Sequence, residues 1–298
     1  MLETQSTPIY GGRAIVNFYE QNHRYVIEVP KLGLSFEHPS MTTTLKALGD
    51  VGGGGKLLDW AAERAAEYVL DNLPPDGKPG VLTRKKLLEQ AKTAHTRSRD
   101  RSGGIGTVVH STIEQMLHYG LDDDLPSNTD QLDGEAFVQV EKAVQKAKRW
   151  LGTNKIVARG IERAFWSPSL GIVGTADLPA VVNNRLAITD WKISKYIGLK
   201  YRLQLTGYAV LFEEEFPKEK IVDRRVVAFG NDGGDAKVEV WTRETFDADA
   251  AQFRRTVDDF RWLMQRDQWY RGKTNFSGPL TPAQLDAFWA IETEAAVA

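Results

Sequence analysis

Asp177, Asp190 and Lys192 are the residues of this 298-residue sequence whose types and spacing point most directly to chemistry. Asn183 and Asn184 lie between two β-rich runs, and asparagine tolerates the positive φ that a two-residue hairpin turn requires. Pairing Val182 with Arg185 across that turn and counting outward sets Leu178 opposite Thr189 and Asp177 opposite Asp190. Directly opposed side chains stand about 4.5–5.5 Å apart, where two carboxylates repel, so a cation is expected between them. Lys192 follows Asp190 by two residues and therefore shares its face of the strand. Burying these groups is costly unless they are paired or bind a metal ion. A plain salt bridge would account for Lys192 and one aspartate, and leave the opposed aspartate without a reason. Pro179 weakens the ladder beside Asp177 and is the residue that could shift this register.

The elements around the hairpin follow from periodicity. RLAITDWKI carries apolar side chains on both faces, as a covered central strand does. KIVARGIERAFW and GIVGTADLPAVV read as the strands before it, each continuous. YRLQLTGYAVLFEEEF reads as a helix, VVAFG and KVEVW as short strands, and Thr245 to Trp269 as a long amphipathic helix. Upstream, GGIGTVVHSTIEQMLHYG reads as a glycine-rich start of a helix whose apolar positions Val109, Ile113 and Leu117 recur at helical spacing, and Glu135 to Leu151 as another helix. AIVNFYEQNHRYVIEV reads as a β-hairpin turning at Gln21 to His23, with no internal repeat. SMTTTLKALGDVGGGGKLLDWAAERAAEYVLDNLPP reads as two helical patterns joined by four glycines, with Leu57, Trp60, Ala61 and Tyr68 near one face. Helix, three strands, helix, two strands implies a mixed α/β core with helices on its faces.

The stretch from Gly174 to Lys192, GTAD then twelve residues then DWK, resembles the PD-(D/E)XK nuclease superfamily, in which an aspartate, a second acidic residue and a lysine lie on a hairpin of the central sheet. Gln204 and Tyr208 match the QxxxY element of its RecB-like branch, and their i,i+4 spacing puts them on one helical face. GTVVHSTIE resembles that branch's helix with a metal-site histidine, here His110. MTTTLKAL followed by LLDWAAERAAEYV is similar to the N-terminal region of phage-encoded RecB-like exonucleases and of the mitochondrial genome-maintenance exonucleases. The resemblance runs from about Met41 to Glu214 and implies a restriction-endonuclease-like core, with an N-terminal hairpin and helical cap over 1–100, the nuclease core over 101–245 and C-terminal helices over 246–298.

It further implies a DNA exonuclease acting on single strands or ends in replication, recombination or repair, of phage type. Asp177, Asp190, His110 and the carbonyl of Trp191 would hold Mg²⁺ or Mn²⁺, Lys192 would orient or activate water or stabilise charge on the phosphate, and Gln204 and Tyr208 would position. Glu114, at i+4 from His110, and Glu162, on the strand before the hairpin, are secondary candidates. A structure-specific endonuclease with the same site and a non-catalytic nucleic-acid-binding module are the competing readings.

From Thr83 to Arg101 the chain holds Arg84, Lys85, Lys86, Lys92, Arg97, Arg99 and Arg101 against Glu89 and Asp100, a basic run suited to phosphates or to solvent. Arg97, Arg99, Arg101, Lys195, Lys200 and Arg202 are the candidate DNA contacts, and Tyr196 or Trp166 could stack on unpaired bases. Net charge is only −2, so such binding would be local.

Several chemistries are excluded. No cysteine is present, which removes disulfides, thiolate zinc, a cysteine nucleophile and the iron–sulfur cluster that frames many RecB-like nucleases. Gly52 to Lys56 is not a phosphate-binding loop, because Asp50 and Leu57 stand where it needs Gly and Ser or Thr, so no nucleotide cofactor is expected. His110 and Glu114 do not make an HExxH zinc pair, and His118 reads as an ordinary histidine. No apolar run approaches the roughly 20 residues of a membrane span and the N-terminus lacks a signal pattern, so an intracellular, cytoplasmic protein with no membrane partner is expected.

Overall fold

The computed structural model describes residues 4–49, 56–74, 77–78, 81–120, 132–194, 196–230, 234–266 and 276–293. The tetraglycine connection and Lys195 lie outside them. The fold is mixed α/β, built on a five-stranded mixed sheet with helices on both faces. Its strands are β5 (Ile156–Ala158), β8 (Leu178–Val182), β9 (Arg185–Lys192), β10 (Asp223–Ala228) and β11 (Lys237–Thr242), in the order β11-β10-β9-β8-β5. β9 and β10 are parallel because α6 (Leu199–Glu215) carries the chain from one to the other, and the remaining pairs are antiparallel.

Burial on both faces explains the apolar pattern of the central strand. Ile188 meets Leu205, Leu211 and Phe253 in the cluster with α6 and α7 (Phe246–Arg266). Trp191 turns the other way, into the cluster with α4 (Ala94–Tyr119) and α5 (Gly134–Thr153), where Trp150 packs edge-on against it at 5.4 Å. α6 is buried over most of its circumference, as befits a helix between a sheet and a second helix. A Cβ at Gly207 would stand 2.5 Å from the Met41 sulfur and 2.7 Å from the Phe253 ring, so this helix can seat only glycine there.

The structure corrects three sequence expectations and extends a fourth. α4 begins at Ala94, so Gly103, Gly104 and Gly106 lie inside a helix instead of at its start. Each costs about 1 kcal/mol against alanine, and Ile105, Val108, Val109 and Ile113, all buried, hold the helix through them. KIVARGIERAFW divides into β5 and β6 (Arg163–Ser167), and GIVGTADLPAVV divides at Asp177 into β7 (Ile172–Ala176) and β8. β6 and β7 pair as a separate two-stranded sheet, so the chain changes sheets at the aspartate. The N-terminal hairpin is the middle of a four-stranded antiparallel sheet, β1 (Thr4–Ile9), β2 (Ala14–Tyr19), β3 (Arg24–Val29) and β4 (Leu34–His38), whose strands begin every ten residues. It packs on β6–β7 and on α8 (Pro282–Trp289) through Val16, Ile27, Trp166, Val173 and Phe288. The helices before α4 are α1 (Met41–Thr44), α2 (Lys56–Asn72), with Trp60, Ala61 and Tyr68 half-buried, and α3 (Val81–Lys92).

Candidate metal and phosphate site

Two hairpins bring the acidic residues together. Asn183 and Asn184 have φ of 51° and 66°, the left-handed pair of a type I′ turn, and the ladder they start pairs Val182 with Arg185 and Leu178 with Thr189. This is the register read from the sequence as far as Leu178 and Thr189; the expected Asp177–Asp190 pair lies beyond the ladder, because the Asp177 carbonyl accepts from Glu162 and its carboxylate from the Trp191 amide. Pro179 pairs with Ile188 without shifting it and turns its carbonyl to the amide of Arg159. In the other hairpin, β6 and β7 pair Ser167 with Ile172 and Arg163 with Ala176 around a turn closed by Gly171 at φ 57°. The next pair outward is Glu162 and Asp177, joined by a 2.9 Å bond from the Glu162 amide to the Asp177 carbonyl. Asp177 thus stands at the corner shared by both hairpins.

α4 supplies the third donor. His110 Nε2 lies 3.1 Å from the Trp191 carbonyl oxygen, which accepts its proton and fixes the ring. Nδ1 then points toward the carboxylates, 3.6 Å from Asp177 Oδ2 and 3.8 Å from Glu162 Oε1. One ligand atom from each of His110, Glu162 and Asp177 lies within 4.8 Å of the other two, a group able to hold a metal ion. Asp177 Oδ2 also accepts the Trp191 amide proton at 2.7 Å. The Trp191 carbonyl, expected as a ligand, lies beside this group and orients His110.

Asp190 is buried beside this group and held from two sides. Its Oδ2 is ion-paired with the Lys192 ammonium, and Gln204 Nε2 donates to Oδ1 at 3.4 Å. The Lys192 ammonium also lies 5.3 Å from the centre of the Tyr201 ring. Tyr208 is buried one turn beyond Gln204, and burial together with the Asp190 charge keeps its phenol protonated far above the usual range. Glu114 is half-buried on the rim of the same groove as His110 and Glu162, outside the three-residue group.

The electrostatics are those of too much negative charge in one place. Burial raises Asp177 and lifts Asp190 to about 6, partly offset for Asp177 by His110 and for Asp190 by Lys192. Burial opposes the charged forms of His110 and Lys192 as well, but the carboxylates prevail. Asp177 and Glu162 bring His110 to about 9, and Asp190 and Asp177 raise Lys192. Protons on His110 and Lys192 thus stand in for a cation among three carboxylates. A donor set of carboxylate oxygens and one imidazole nitrogen fits Mg²⁺ or Mn²⁺.

Not every sequence candidate converges here. Arg97 bonds to Gln90 and Thr93 and lies over Tyr68, Arg99 pairs with Asp100, and Arg101 with Asp133 and Glu135. Arg202 is paired with Asp249, and Lys200 is exposed at the start of α6. Trp166 is wholly buried and donates its indole proton to His38, so it cannot stack on a base, whereas Tyr196 is exposed. Glu162, only a secondary candidate in the sequence, is the residue that counting failed to promote. The Pro168–Gly171 turn carried the signal, because it sets the register that places Glu162 opposite Asp177.

No protein-family model matches this sequence, and no curated protein does. A crystal structure from Eubacterium rectale, of a protein provisionally described as an exonuclease, aligns over 63% of this chain and 79% of that one. The two are 15% identical with a TM-score of 0.37, a likeness too low to carry an argument. Among the described residues, no helix is long and apolar enough to cross a membrane.

Proposed function

We propose that the protein is a divalent-metal-dependent nuclease that hydrolyses phosphodiester bonds in DNA, working on single strands or free ends. The observation that carries this reading is the convergence of His110, Glu162 and Asp177 beside a buried Asp190–Lys192 pair. Mg²⁺ or Mn²⁺ held there would supply Lewis acidity toward a phosphoryl oxygen and a water molecule.

The protein's own groups have separate tasks. His110, Glu162 and Asp177 hold the cation, with the imidazole aimed by the Trp191 carbonyl. Lys192, kept as an ammonium by Asp190, offers protons and positive charge, so it stabilises charge growing on the phosphate and orients water. Gln204 fixes Asp190, and through it the lysine, while Tyr208 is hydrogen-bonded to Gln204 and holds it in turn. The preference for ends, the phage type and a place in replication, recombination or repair rest on the RecB-like resemblance.

The test is cleavage of end-labelled linear and of closed circular single-stranded DNA with Mg²⁺, Mn²⁺ or EDTA, for wild type and Lys192→Ala. Metal-dependent loss of the linear substrate alone, reduced at least a hundredfold by the substitution, is expected. Cutting of circles would make it an endonuclease, and binding of either DNA without cleavage would make it a binding module.

A further inference from the structure

Gly103, Gly104 and Gly106 sit inside α4, where glycine weakens a helix, and nothing in their surroundings asks for it. Among the described residues, apart from the chain neighbours and the helix's own backbone, no atom comes within 4 Å of the place a Cβ would occupy at any of the three, and none has a positive φ. Gly103 and Gly106 line a groove of about 510 Å³ that runs along the helix to His110 and Glu162. Its opposite wall comes from the N-terminal sheet, where Phe18 packs at a tilt of 32° against Tyr25 with ring centres 4.6 Å apart. The Tyr25 hydroxyl bonds to Thr175, two residues before Asp177, and ties this wall to the candidate metal site.

We propose that this groove seats a single unpaired nucleic-acid strand, with its sugar–phosphate backbone against Gly103 and Gly106 and its bases toward Phe18. The proposal rests on the nuclease reading and names how that site takes its substrate. From Gly103 to His110 the helix rises about 10 Å, the length of roughly three stacked nucleotides. Bare glycine lets a backbone approach the helix closely, and an aromatic ring offers its face only to a base that is not paired. Glu20, Glu114 and Glu162 also line the groove, so a polyanion enters only with a divalent cation beside it.

The experiment measures binding, not cleavage. Anisotropy of a fluorescein-labelled oligothymidylate with Ca²⁺ compares wild type, Gly103→Leu, Gly106→Leu and Phe18→Ala, with a blunt DNA duplex as competitor. Both leucine variants are expected to bind at least tenfold more weakly while their thermal midpoints stay level or rise, since leucine favours the helix. Phe18→Ala is expected to lose about five- to a hundredfold. No binding by wild type, unchanged affinity in the leucine variants, or a duplex that competes equally would overturn the proposal. Binding that follows the glycines in a protein that cleaves nothing with Mg²⁺ or Mn²⁺ keeps the groove and removes the nuclease reading. Cleavage that ignores the glycines does the reverse.

Discussion

Glu162 and Asp177 face each other across the end of the β6–β7 pair, the amide of one bonded to the carbonyl of the other at 2.9 Å. Glu162 holds a left-handed backbone, φ 46°, that a non-glycine residue adopts at a cost. That conformation aims its carboxylate at His110 Nδ1. Glu162→Gln keeps the size of the side chain and removes its charge. Calorimetric titration with Mn²⁺ should show affinity lowered at least by the tenfold that loss of an outer-shell partner causes. Affinity equal to wild type would remove Glu162 from the donor set.

Metal binding should release a proton. His110 stands at about 9 in the metal-free protein, because Asp177 and Glu162 outweigh its burial, so it is protonated at pH 7. An ion taking Nδ1 must displace that proton, so affinity rises with pH until about 9 and levels off above it. Titrations at pH 7 in two buffers of different ionisation enthalpy should differ by close to one proton per ion. Identical heats would show that His110 does not serve as a ligand.

The Asn183–Asn184 turn fixes the register of β8 on β9. Asn183 also bonds through its side chain to the Lys155 amide at 2.9 Å and to Asn154 at 2.8 Å, tying the turn to the start of β5. Asn183→Ala should lower stability by about 2–3 kcal/mol, from left-handed strain and the lost bonds, while Asn184→Gly should be neutral or stabilising. Urea denaturation reads both, and equal midpoints for the two variants would contradict the account.

Stability should fall below pH 6.5 through His38. Its ring accepts the Trp166 indole proton on Nδ1 at 2.8 Å and donates from Nε2 to the Gly278 carbonyl, a pairing only the neutral imidazole makes. Burial holds its folded value at about 4 against 6.5 when unfolded. The contribution is complete above 6.5 and lost progressively as pH falls to 4, where the loss amounts to about 3 kcal/mol. His38→Asn should lack this slope in urea unfolding between pH 7 and 4; parallel curves would show that another group governs it.

What the sequence by itself determined is local. The two asparagines set the β8–β9 register because a two-residue turn leaves one way to pair the strands, and that register holds as far as Leu178 and Thr189, one position short of the two aspartates. Apolar residues on both faces of RLAITDWKI marked a covered strand, and its parity put Asp190 and Lys192 on one side. Tertiary structure decided what depends on contacts between distant residues. The Trp191 carbonyl meets His110 across 81 positions, a contact that fixes the imidazole and that no local pattern records. α4 runs through three glycines because packing of its other face outweighs their propensity. The break at Asp177, and with it the shared corner of two hairpins, arises because one chain segment pairs with β6 and then with β9, and no local pattern records a change of partner.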